Sequence, residues 1–148
     1  MRFVTALLVA GLCLAGAYGC SHPKPPEGKW EGAYESDDTM VVARLEIASN
    51  GTVLVSAPNA QDLANMSADD KAGVRQKLAQ DLANGWDAVQ PRQFDFDGTT
   101  FRNPGGVAPQ MEWDEGNKHM TLIVYFGTNP SIRIPLHAVK DFSDNPWN

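Results

Sequence analysis

The chain reads as a mainly-β protein: a small antiparallel barrel of about eight strands with one inserted α-helix. Three observations predict this. Apolar and polar residues alternate with period two through a series of short stretches between Lys29 and Leu136. The dipeptides Asn50-Gly51 and Asp97-Gly98 stand between such stretches, and Asn-Gly or Asp-Gly in that setting marks a tight hairpin whose turn positions need positive φ. Only the region near 67–84 repeats its apolar residues every fourth position, through Val74, Leu78 and Leu82.

The elements follow in order. Met1 to Gly19 has a cationic start at Arg2, an apolar run from Phe3 to Leu14, and small residues beyond it. The run is too short for a finished membrane span, which takes roughly 20 apolar residues, so residues 1–19 are expected to be a secretory signal. Ala17-Tyr18-Gly19-Cys20 resembles the lipobox of bacterial lipoproteins, departing from it at Ala17, where Leu is usual, and at bulky Tyr18. The resemblance implies that Cys20 is acylated with fatty chains of the palmitate kind and becomes the first mature residue. A plain cleavage site, Ala15-Gly16-Ala17, is the rival reading. Cys13 leaves with the signal, so Cys20 has no partner for a disulfide, and acylation accounts for it. Ser21 behind the cysteine, again by resemblance, implies sorting to the outer membrane, facing the periplasm.

Residues 20–28 then make a tether: Ser21 to Gly28 holds three prolines and no large apolar residue, a composition that favours extended, semi-rigid chain. Residues 29–148 are one domain. Its first strand places Trp30, Gly32 and Tyr34 on one face; the second places Val41, Ala43, Leu45 and Ile47 there; the third Val53, Val55 and Ala57. Pro58 ends that run. Ser67-Ala68-Asp69-Asp70 forms a capping box ahead of the helix, and Asn84-Gly85 stops it. The strands resume with Phe94 and Phe96, Thr99 to Arg102, Met111 and Trp113, Met120 to Phe126, and Ile132 to Leu136. Turns fall at Glu115-Gly116-Asn117 and Asn129-Pro130, and Pro135 suggests an edge or a bulge.

Gly28-Lys29-Trp30 is similar to the G-x-W at the start of the first strand in lipocalins and lipocalin-like bacterial lipoproteins. The resemblance implies a barrel closed at one end by Trp30, with Arg133 as the late-strand arginine beside it. The inserted helix, and the lack of a helix after the last strand, depart from that family.

Function is bounded more by exclusion. The chain has a net charge of −6, made one unit more negative by the loss of Arg2, and its cations are scattered singly, which excludes a nucleic-acid partner. His22, His119 and His137 read as solvated residues, no metal or cofactor is expected, and neither a nucleophile motif nor a contrasted carboxylate pair appears, so no enzyme is expected. The expected role is non-catalytic binding at the envelope membrane. Trp30, Tyr34 and Trp113 are the candidate ligand-binding residues, with Gly32, Ala43 and Ala57 leaving room between them for a small apolar or amphipathic molecule. Complete filling by Phe94, Phe96, Phe101 and Met111, together with an exposed apolar patch, would favour instead a protein-interaction or inhibitor module of the envelope.

Overall fold

The structure, a computed structural model, describes residues 22–58, 60–106, 109–125 and 131–147. The signal, Cys20, Phe126 and the Asn129-Pro130 turn lie outside the described residues. The elements are β1 (Gly28–Glu35), β2 (Thr39–Ile47), β3 (Thr52–Ser56), β4 (Gln61–Asp62), α1 (Ala68–Gly85), β5 (Arg92–Gln93), β6 (Asp95–Phe96), β7 (Thr100–Arg102), β8 (Gln110–Asp114), β9 (His119–Val124) and β10 (Ile132–Val139).

All pairings are antiparallel, and the sheet runs β5-β3-β2-β1-β10-β9-β8-β7-β6, with β4 paired to β2 off this path. The two ends of the path, β5 and β6, are consecutive in the chain, separated only by Phe94. The extended run 92–96 therefore pairs with β3 through its first half and with β7 through its second. The sheet is thus nearly closed into a barrel, and the fold class expected from the alternation holds. Each stretch expected as a strand is one, and 92–96 is split at Phe94 because its two halves serve different neighbours.

Alternation sorts the side chains into two cores. Inward-facing Trp30, Leu45, Phe94, Phe101, Met111, Trp113, Leu122 and Ile134 belong to one large cluster filling the barrel. Outward-facing Met40 and Val42, with Leu63, Leu78 and Leu82, make a second cluster on the outside, where α1 docks. The helix begins as expected: Ser67 Oγ accepts from the Asp70 N–H at 3.2 Å, and the Asp70 carboxylate accepts from the Ser67 N–H at 3.3 Å. Its apolar stripe is narrow, with Leu78, Ala79 and Leu82 its only buried residues, so tertiary contact carries the helix.

Three local expectations need correction. At Asn50-Gly51 only the glycine has positive φ, at +81°. The Gly51 N–H donates to the Ala48 carbonyl and the Ala48 N–H to that of Thr52, giving a three-residue loop ending in a glycine bulge; Asn50 Oδ1 accepts from the Thr52 N–H at 3.0 Å instead. Pro135 is not on an edge: β10 lies between β9 and β1. It is tolerated because it stands opposite Thr121 of β9, while pairing with β1 involves only His137 to Val139. Lastly, Gly32 does not open a cavity. A Cβ there would lie 2.1 Å from the Pro135 carbonyl oxygen, so the space is taken by backbone and glycine alone allows β1 and β10 to approach.

Two stability predictions follow from these contacts. Gly32→Ala forces β1 off β10 and should cost about 2–4 kcal/mol. Leu78→Asp buries an unpaired charge beneath α1, where Leu78 is 1% exposed, and should cost about 3–5 kcal/mol. Urea unfolding followed by tryptophan fluorescence measures both, and a loss under about 0.5 kcal/mol in either would refute the contact behind it.

Candidate functional site at the barrel mouth

The strand directions give the barrel two unlike ends. The base gathers the start of β1, the β2–β3, β6–β7 and β8–β9 turns, and the end of β10. Residues 22–27 reach β1 from this side, with Pro23 set against Gly98 in the β6–β7 turn. The mouth gathers the β1–β2 turn, β4 and the start of β10.

Of the candidate residues, Trp30 and Trp113 come together at the base. Their rings meet edge to face, centroids 5.4 Å apart at 74°, an arrangement favoured by the ring quadrupoles. Trp113 Nε1 donates to Glu115 Oε2 at 2.8 Å, and the Lys118 ammonium lies 5.8 Å from the ring centroid. Trp30 is 5% exposed and its Nε1 is buried with no partner. The pair plugs the base. Arg133 does not attend Trp30: it projects outward from β10 and pairs with Glu112 of β8. The Trp30 neighbour is Trp113, which supplies an aromatic edge where the resemblance implied a cation.

Between base and mouth the described inward side chains pack into one buried cluster. Ala43, Phe101 and Met111 are wholly buried and Phe94 nearly so; Ala57 and Phe96 pack on them from partly buried positions.

Tyr34 stands apart at the mouth. It rests on the top of the core, as does Ile132, and both line an open depression of about 760 Å³. Asp38, Thr39, Asp62 and Arg133 contribute its polar rim. Local chemistry fixes this rim. The Ser36 N–H donates to the Thr39 carbonyl at 2.8 Å, closing the β1–β2 turn, and Ser36 Oγ donates to Asp38 Oδ1 at 2.7 Å. That hydroxyl bond, aided by Thr39, holds the Asp38 carboxyl below the usual aspartate range. Asp62 faces Thr39 across the β2–β4 pairing and accepts from the Ala64 N–H at 2.9 Å, while the Leu63 N–H donates to the Asp38 carbonyl at 2.9 Å. The Glu112 carboxylate keeps the Arg133 guanidinium firmly protonated. Tyr125, 53% exposed, follows β9 beside it. The arrangement offers an apolar floor continuous with the core and a rim carrying both acceptors and a cation, which suits an amphipathic ligand.

The histidines lie elsewhere. His119 and His137 are exposed on the outer face and share a shallow hollow beside Trp147. Among the described residues, no group of three or more His, Cys, Asp or Glu side chains is placed to hold a metal ion.

Sequence reasoning missed β4, and with it the Asp62 wall of the depression. It also missed the buried pair Glu31 and Arg44, 1% and 5% exposed, whose signal was two opposite charges at outward positions of neighbouring strands. Compared with family models, curated proteins and solved structures, the chain matches none.

Because the folded-state pKa of Asp38 is depressed, its contribution to stability is whole above the ordinary aspartate value near 4 and is lost as pH falls through the lower folded value. A carboxyl-carbon NMR titration should find Asp38 titrating low, and Ser36→Ala should move it back up. An unchanged midpoint in that variant would mean the hydroxyl is not the cause.

Proposed function

We propose that the chain is a lipid-anchored, non-catalytic binding protein of the bacterial cell envelope, held to the outer membrane by acylated Cys20 and facing the periplasm. It engages its ligand at the mouth of the barrel, not in the interior. The observation that carries this is the pairing of a filled, tryptophan-plugged barrel with an open depression at the end away from the tether. The ligand class is a small amphipathic molecule. Its apolar part lies on Tyr34 and Ile132, and its polar part meets the Asp38, Asp62 and Arg133 rim.

A second reading, a protein-interaction or inhibitor module of the envelope, is favoured by one observation. Tyr125 stands exposed beside Arg133 on the outer face next to the depression, and Tyr with Arg is a residue pair enriched at protein interfaces.

Two experiments test the reading. Full-length chain expressed in a bacterial host should fractionate with membranes, and Cys20→Ser should release it; equal solubility of both forms would remove the anchor. The delipidated chain should then be titrated with fatty acids and amphipathic dyes while the thermal midpoint is followed. A ligand present at 100 times its dissociation constant stabilises the fold by about 2.7 kcal/mol. Tyr34→Ala should abolish the shift, measured against that variant's own unliganded midpoint. If no amphiphile shifts the midpoint, the protein-interaction reading replaces the first.

A further inference from the structure

After β10 the chain does not simply end. Residues 140–147 fold back over the outer face of the sheet and run to the helix. The anchor at the near end is the buried ion pair of adjacent strands, with Arg44 Nε 3.6 Å from Glu31 Oε2. Ser143 caps it: its N–H and hydroxyl both donate to the Glu31 carboxylate, and its carbonyl accepts from Arg44 Nη2 at 2.6 Å, while Arg44 Nε stays buried without a hydrogen bond. Phe142 sits between cations and an aromatic ring, with the Arg44 guanidinium 4.9 Å from its centroid and Trp86, just past α1, edge-on at 4.7 Å. At the far end Trp147 packs into the outer cluster with Ala33 and Val74, its Nε1 buried and unpartnered.

This outer cluster has no member in common with the barrel core. Helix α1 touches the barrel through few residues of its own, chiefly Leu78 and Leu82, with Arg75 forking onto Glu35 at 2.9 and 2.6 Å. The segment 140–147 therefore supplies much of what holds α1 down. The same cluster includes Leu63, the residue after β4, which fixes Asp62 in the wall of the mouth.

We propose that the C-terminal segment and α1 form a single latch, which opens as a unit from an intact barrel and in opening removes the β4 wall of the depression. The latch regulates the site of the proposed binding function and rests on that reading for its meaning, though not for its existence. Two cores with no side chain in common, on opposite faces of β2, allow sub-global opening, in which one cooperative unit unfolds while the other persists.

Hydrogen exchange on the full chain tests this with no ligand present, so its outcome is independent of whether any amphiphile binds. Phe142→Ala and Trp147→Ala are compared with the parent chain. Each should speed exchange of amides in 61–85 by about tenfold or more, while those of β8 and β9 keep their protection. Unchanged exchange in α1 for both variants overturns the latch. So does a matching rise in β8 and β9, which would make the molecule one cooperative unit. A rise in α1 that leaves 61–63 protected overturns the coupling to the mouth.

Discussion

The outer architecture depends on one buried ion pair. Glu31 and Arg44 face away from the barrel interior at positions directly opposed on β1 and β2, where an exposed pair would contribute little. They are buried because the C-terminal segment covers them, and covering charges is unfavourable unless every polar atom is met. Ser143 meets most of that need with three donors and acceptors from a single residue. The pair acts less as a source of stability than as an address. A segment that failed to place Ser143 there would leave two charges desolvated, so the chain end has one acceptable position. From it Phe142 and Trp147 are directed to opposite ends of the helix region.

The inner architecture obeys a different constraint, the filling of a small barrel. A barrel of about eight strands has an interior that side chains can occupy fully. Here the rings of Trp30, Trp113, Phe94 and Phe101, with Leu45, Met111, Met120, Leu122 and Leu136 among them, occupy it. The small residues do not oppose this. Ala43 is buried among them, and Gly32 brings the Pro135 backbone inward. A packed barrel moves recognition to its surface, and at the mouth Tyr34 and Ile132 form a floor continuous with the core.

The fold was legible from the sequence wherever one local signal decided the outcome. Period-two alternation fixed the faces of β1, β2 and β9, and the capping box at Ser67 fixed the start of α1 to the residue. Partnership across the chain was much less legible. Pro135 reads as an edge or a bulge until β1 is seen to pair only beyond it, and Gly32 reads as a gap until the Pro135 backbone is seen to fill it. The candidate site divides the same way. Alternation correctly put Trp30, Tyr34 and Trp113 on the inner face, but only the register separates the base pair from the mouth tyrosine. The β4 wall was illegible because two paired residues carry no periodicity.

These two constraints meet on β1 and β2. Each strand buries both faces, one in the barrel and one beneath the helix and C-terminal segment, as the burial of Met40 through Leu45 records. Doubly buried antiparallel strands are a rigid spine, and everything less secure is hung from them: β4 and α1 outside, the tether below, the depression above. On the proposed reading the tether anchors the plugged end, so the distance between membrane and mouth is the length of that spine. A ligand or partner would meet a rigid wall on the β1–β10 side and a yielding one on the β4 side. The asymmetry arises because the two-residue β4 is held by a short pairing with β2 and by the outer cluster, whereas β10 is paired on both sides within the nearly closed sheet.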